Sequence, residues 1–286
     1  MKIVILIIIL TLCYILWQRQ ELKKFKVTNY AVTSSKVKAP VKLLLVSDYH
    51  CHPYGERNDR LVEAAKREEP DLILVPGDMI VSAYTDRYQV ALDFFRELSK
   101  IAPVYFSNGN HESRVELPES QYYETYLAYR GEVEKLGVRI LNNQNESVEV
   151  NGNTLQIYGL DIPLDCYAKG KVVPLPKRYL EQVFDGEPEK GRFSILLAHN
   201  PMFCEDYAAW GADLIVSGHT HGGLIRIPHV GSIISPQFQF FPKYDAGQFQ
   251  IDNSTAIVSK GLGTHTFHIR IFDRAELAAI HLRPPV

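Results

Sequence analysis

The chain has 286 residues, 46% of them hydrophobic and 22% charged, with a net charge of −2. That is enough chain for a sizeable buried core, and the balance gives no electrostatic basis for a nucleic-acid partner; no protein partner is implied either. The four cysteines, Cys13, Cys51, Cys166 and Cys204, lack the paired spacing of a disulfide framework or a structural zinc site, and the last three read as free thiols, which favours a reducing compartment.

The first element is the uncharged run Ile3–Trp17, "IVILIIILTLCYILW". It has no polar face, unlike a surface or core helix, and no small-x-small cleavage pattern follows it. Residues 1–19 are therefore read as an uncleaved, single-pass transmembrane anchor in the cell membrane, with Trp17 at the interface. Arg19, Lys23, Lys24 and Lys26 follow the run, while Lys2 precedes it, which places the following domain in the cytoplasm; an exported domain behind the anchor is the alternative. Residues 20–40 read as a linker carrying one strand, and 41–286 as the main domain.

From there strands and helices alternate. "VKLLLVS" (41–47) is a near-continuous apolar run, as in a strand buried on both faces. A helix over 58–69 starts at an Asn or Asp cap and stops before Pro70. "DLILVPGD" is a second buried strand, "DRYQVALDFFRELSK" an amphipathic helix, and "PVYFSNGNH" a third strand ending in a glycine turn. A helix follows around 120–136, then "ESVEV", the turn "NGN" and "TLQIYGL" form a hairpin. A helix near 176–184, the strand "FSILLAHN", a helix at 203–210 and the strand "DLIVSGHT" come next. The tail, "TAIVSKG" and "HIRIFDRAELAAIHL", reads as antiparallel strands. Alternating units followed by hairpins imply two packed sheets with helices outside.

The chemistry-bearing residues share one topological place. Asp48 and His50 follow the first buried strand, Asp78 the second, and Asn110 and His111 the third. His199 follows "SILLA", and His219 and His221 follow "LIVSG". Alone, each has an ordinary explanation: an Asp after a strand caps or turns, an Asn after Gly sits in a left-handed turn, a His is a satisfied polar group. Together they are five strand exits bearing Asp, Asn or His, which parallel strands would bring to one rim. Carboxylate, imidazole and amide oxygen in one place suit two divalent metals of the Mn, Fe or Zn type, and exceed what one tetrahedral metal needs. Residues two apart on an extended chain point the same way, so Asp48 with His50, and His219 with His221, would both face the rim.

The set D-x-H (Asp48, His50), G-D (Gly77, Asp78), G-N-H-E (Gly109–Glu112), the lone His199 and G-H-T-H (Gly218–His221) resembles the calcineurin-like metallophosphoesterases over roughly 41–283. The anchor, "GHTHGG" and the late "YDAGQF" and "IRIFDRAEL" stretches are similar to the bacterial membrane-anchored branch of that family. The resemblance implies a four-layer α/β/β/α sandwich. It also implies that Asp48, His50 and His221 hold one metal, that Asn110, His199 and His219 hold the other, and that Asp78 bridges them. His111 would be no ligand but the catalytic residue at the scissile phosphate, protonating the leaving oxygen after attack by a metal-activated hydroxide. In relatives that carry G-D-x-x-D its last Asp can help to orient this histidine; Val81 stands there, so either Glu112 or a water is expected to do so or His111 is held less tightly.

The implied activity is phosphoester hydrolysis, as a phosphodiesterase or pyrophosphatase at the membrane; a phosphomonoesterase and a non-catalytic scaffold are the alternatives. Two aromatic stretches bear on substrate. Tyr122, Tyr126 and Tyr129 form a helical stripe, either core or a substrate wall, and Phe238, Phe240 and Phe241 either pack on the domain or meet a lipid-linked substrate. Arg114 and Arg226 are candidate phosphate contacts or surface residues, and His52 a solvated loop residue or a further phosphate contact.

Overall fold

The computed structural model describes residues 2–223, 225–227, 229–264 and 268–285. The chain opens with the helix α1 (Lys2–Glu21), long and apolar enough to cross a membrane and exposed along its apolar length. Strand β1 (Phe25–Thr33) lies within the stretch read as a linker and is followed by β2 (Val41–Leu45), α2 (Asp59–Arg67), β3 (Leu72–Val75), α3 (Tyr88–Leu98) and β4 (Val104–Phe106). Then come α4 (Asn110–Val115), α5 (Tyr123–Lys135), β5 (Arg139–Ile140) and the antiparallel hairpin β6 (Gln144–Val150) and β7 (Asn153–Leu160). The second half runs α6 (Tyr179–Val183), β8 (Phe193–Ala198), α7 (Cys204–Trp210), β9 (Leu214–Ser217), β10 (Ile225–Ile227), β11 (Gly231–Ile234), β12 (Gly247–Ile251), β13 (Ser254–Val258) and β14 (Ala275–Arg283).

Two mixed sheets result, in the orders β1-β14-β2-β3-β4-β5 and β12-β13-β9-β8-β7-β6; β10 and β11 form a separate hairpin. In the first, β2, β3, β4 and β5 run parallel, and in the second β7, β8, β9 and β13 do. The tail does not pair with itself. Strand β13 is antiparallel to β12 in one sheet, and β14 is antiparallel to β2 in the other while running parallel to β1.

Side chains alternate across a strand, and this divides each apolar run between two cores. Leu43, Leu45, Leu72 and Leu74 face Leu155, Ile195, Leu197 and Val216 in the layer between the sheets. Leu44, Val46, Ile73 and Val75 face outward to Leu61 of α2 and Phe94 and Phe95 of α3. On the far side Leu196, Ala198 and Ile215 pack under Tyr207 and Trp210 of α7. Helix, sheet, sheet and helix therefore form the four expected layers. Tyr126 and Tyr129 are buried in the first helical layer, so the tyrosine stripe is core rather than a substrate wall.

Candidate metal centre

Parallel strands bring their C-terminal ends to one edge, and here both sheets contribute to the same edge. Asp48 leaves β2, Asp78 leaves β3, Asn110 opens α4 after β4, His199 leaves β8, and His219 and His221 leave β9. Asp48 Oδ1 lies 3.5 Å from His221 Nε2, 3.9 Å from His199 Nε2 and 4.0 Å from His50 Nε2. Asp78 Oδ2 lies 3.1 Å from His199 Nε2 and 3.8 Å from His50 Nε2. Three overlapping groups each place their donor atoms within 4.8 Å of one another: Asp48, His50 and His221; His50, Asp78 and His111; Asp78, His199 and His219. Asn110, with its amide turned to satisfy both neighbours, donates to His219 Nδ1 at 2.9 Å and accepts from Arg114 at 2.9 Å.

The pairs are not aligned by an extended backbone, as the two-residue spacing had led us to expect. Asp48 and His50 each have φ of 48°, Asp78 55°, His219 66° and His221 51°, so five of the seven expected ligands sit in the left-handed region. Such residues are strained and persist only where surrounding structure holds them; they concentrate at functional sites. Asp48 is held by a bond from its N–H to Gly77 O, and its carboxylate accepts from His219 N and Ser47 Oγ. Close backbone approach is also required: a Cβ on Gly109 would fall 2.2 Å from Asp78 Oδ1, and one on Gly218 2.2 Å from Asp48 Oδ2.

Each histidine ring is oriented by what its outer nitrogen meets. His50 Nδ1 faces Ile80 O at 3.2 Å, His199 Nδ1 faces Pro76 O at 2.7 Å and His221 Nδ1 faces Gly263 O at 3.1 Å. His219 Nε2 faces Gln237 Oε1 at 3.1 Å. In all four the outer partner is an oxygen acceptor, which puts the ring proton outward and turns a lone pair inward, the arrangement of metal-ligating histidines. His50 Nε2 and His221 Nε2 consequently meet lone pair to lone pair at 3.2 Å, a repulsive contact that a cation between them removes.

His111 has the opposite polarity. Its Nδ1 receives the backbone N–H of Ser82 at 3.0 Å, with Ser82 Oγ at 2.9 Å. A nitrogen that accepts from an amide carries no proton, so the neutral ring bears its hydrogen on Nε2 and offers a donor there, not a metal-binding lone pair. Ser82 thus contacts the ring for which Glu112 or a water is the expected partner. Glu112 instead accepts from the N–H groups of Asp78, Met79, Ile80 and Gly109, pinning the loop that carries Asp78. Ser82 and Gln237 belong to none of the metal motifs; Ser82 lies one residue beyond Val81, the position at which the resemblance implies an orienting Asp.

Electrostatics divide the two aspartates. Burial, reinforced by the Asp78 charge, pushes the Asp48 carboxyl up to about 6. Burial also works against ionised Asp78, but His199, His111 and His50 outweigh it and hold that carboxyl well below its usual range. Burial would lower His199, yet Asp78 and Asp48 raise it to about 9. Without a metal these charges favour a further proton on His199 at the 3.1 Å contact with Asp78, and metal binding competes with that proton. The donor set, one carboxylate and two imidazoles about the Asp48 position and a carboxylate and two imidazoles about Asp78, with the Asn110 amide beside His219, fits two divalent ions.

The cluster opens into a cavity of about 490 Å³, with Asn110, His111, His219 and His221 on its floor. Arg114 and Lys169 add positive charge to the wall, and Tyr84, Phe238 and Ile269 add apolar surface. Arg226 points elsewhere, binding Gly222 O and Asp245 behind the G-H-T-H loop. Nor does His52 reach the cavity; its Nε2 meets Leu22 O at 2.9 Å, just beyond the end of α1.

A family profile described as calcineurin-like phosphoesterase matches residues 41–223. Phosphodiesterase YaeI of Escherichia coli is 26% identical over 85% of this chain and 83% of its own. An uncharacterized metallophosphoesterase of Aquifex aeolicus is 29% identical over 90% of this chain and 92% of its own. Among solved structures, sulfate thiohydrolase SoxB of Thermus thermophilus superposes with a TM-score of 0.50 at 13% identity, covering 85% of this chain and 56% of that one, a likeness of fold.

Proposed function

The chain belongs to the calcineurin-like phosphoesterase family, a metal-dependent hydrolase family, and from that premise we propose that it is a phosphodiesterase or pyrophosphatase working at the membrane to which α1 anchors it. The observation that carries the reading is the pair of donor groups joined through Asp78, whose Oδ2 stands between His50 and His199. Asp48, His50 and His221 would hold one ion, Asn110, His199 and His219 the other, and Asp78 both, with Mn, Fe or Zn the ions that this mixed donor set favours. When bound, two such ions supply charge neutralisation at phosphorus and a water acidic enough to ionise near neutral pH.

The chain's own residues do the rest. His111 directs Nε2–H into the cavity as a hydrogen-bond donor to the phosphoryl or leaving oxygen. The expected full proton transfer is narrowed to this, because an imidazolium would set Nδ1–H against the Ser82 N–H. Arg114 and Lys169 supply further positive charge for a phosphate. Beyond them the wall of Tyr84, Phe238 and Ile269 has room for a second ester group, which favours a diester over a monoester. The name of the Escherichia coli relative, a phosphodiesterase, supports the same choice.

The test is the full chain in detergent with added Mn, assayed on bis(p-nitrophenyl) phosphate and p-nitrophenyl phosphate. The diester should turn over faster, and Asp78→Asn should abolish both activities together with bound metal. Faster monoester hydrolysis would overturn the diester reading, and full activity in Asp78→Asn would overturn the metal assignment.

A further inference from the structure

The end of α1 is bonded into the catalytic domain beside the cavity mouth. Gln18 is buried; its Nε2 donates to Arg270 O at 3.2 Å and its Oε1 accepts from Arg270 N at 3.0 Å. Three residues later Glu21 pairs with Arg274 at 2.7 Å. His52 meets Leu22 O, and Arg60 donates to Lys23 O. The helix end is thus held at several points, two of them on the segment 270–274.

That segment is itself fixed to the site. The buried Arg270 guanidinium donates to the carbonyls of Lys260, Gly261, Gly263 and Asp273. The Gly263 carbonyl that it meets at 2.9 Å is also the partner of His221. Ile269, Arg270 and Asp273 line the same cavity as His111 and His221. Between the two anchor points lies Phe272, 69% exposed. Two residues of chain span at most ~7 Å, so the backbone of Phe272 stands within that reach of the backbones of both Arg270 and Arg274. On the helix side the neighbour of Gln18 is Trp17, itself exposed. Aromatic residues collected where an apolar helix gives way to buried polar bonds mark a membrane–water interface. The uncharged run Ile3–Trp17 is about 22 Å long as a helix, a little short of the hydrocarbon thickness of a bilayer, so a span that uses all of it brings Gln18 to the membrane surface.

We propose that this joint seats the cavity mouth on the bilayer surface, and that the substrate is a lipid whose headgroup phosphoester enters the cavity while its acyl chains stay in the membrane. The proposal rests on the hydrolase and anchor readings above and adds the direction in which the site faces. Ile269 and Phe238 on the cavity wall, and the exposed Phe272 between the wall residues Arg270 and Asp273, are the parts that meet the lipid. A flexibly tethered domain would instead sample the aqueous phase, with its mouth facing any direction.

Two measurements test it on the full chain, in vesicles of palmitoyl-oleoyl phosphatidylcholine and phosphatidylglycerol. A nitroxide is placed at Phe272→Cys, or at Asn151→Cys on the opposite edge of the sheets, in a Cys13→Ser background. Collisions with oxygen should dominate at 272, and collisions with the water-soluble nickel chelate at 151. Nickel-dominated relaxation at 272 overturns the seating. In parallel, Gln18→Ala/Glu21→Ala should lower hydrolysis of a fluorescent phosphatidylglycerol in the vesicles about tenfold or more relative to that of bis(p-nitrophenyl) phosphate. Equal effects on both substrates, or hydrolysis of the soluble diester with none of the lipid, overturn the lipid assignment while leaving the hydrolase reading intact. Loss of soluble-diester hydrolysis by the unaltered protein strikes the hydrolase reading instead, and the nitroxide measurement then still decides the seating.

Discussion

The backbone N–H of Ser82 points at His111 Nδ1 from 3.0 Å, and this bond sets the tautomer of a ring that faces the candidate metals. A carboxylate in that place would accept a proton from Nδ1; an amide forbids one. The hydroxyl adds a second contact at 2.9 Å. Ser82→Ala keeps the amide and should cost only about 5-fold in kcat, the value of one ordinary hydrogen bond, with metal content unchanged. Ser82→Asp offers Nδ1 an acceptor and should change the pH–rate profile relative to that of the wild type. An identical profile for the two proteins would show that Ser82 does not govern the ring.

His111→Ala removes a donor but no ligand. Both metals should remain by mass spectrometry, while kcat falls about 10²- to 10³-fold, the range for one donor to a developing charge. Loss of one metal equivalent would place His111 among the ligands.

Metal binding should depend steeply on pH through His199. Its raised value, about 9, means that the metal-free site holds a proton at neutral pH, and the metal must expel it. Protons compete harder as pH falls, so apparent affinity should rise about tenfold per pH unit and level off above that value. Calorimetry in buffers of different ionisation enthalpy would read the released proton directly; binding with no proton released would contradict the His199–Asp78 pairing.

Gly218 lies against Asp48. A methyl there would meet Ser47 Oγ at 2.0 Å and Asp48 Oδ2 at 2.2 Å. Gly218→Ala should displace Asp48, deplete the metal held with His50 and His221, and lower stability by about 1–3 kcal/mol, seen as a fall in Tm. Gly131 in α5 has open space around it, and Gly131→Ala should raise stability by roughly 0.5–1 kcal/mol.

Periodicity and composition made the layers legible. Apolar runs such as 41–47 are long enough to be buried on both faces, and alternation alone sends Leu43 one way and Leu44 the other. The site's residue types and their places after strands were equally readable, because strand exits in a parallel sheet must converge. The tail was read less well: β13 and β14 look alike in sequence, yet pairing partners far along the chain assign them to different sheets. Residues 20–40 are polar enough to pass for a linker, and the strand they contain owes its place to β14.

Local pattern thus determined which residues are buried, which donors exist and at which strand ends they sit. Only tertiary structure decided how those donors are aimed. The left-handed backbone at Asp48, His50, Asp78, His219 and His221 is held by contacts from other loops. The polarity of each imidazole depends on whether a carbonyl or an amide N–H stands behind it. The oxygen of Gln237 and the nitrogen of Ser82 reach their histidines from segments no motif connects to them. Proton placement is a property of the partner, and partners are chosen by folding.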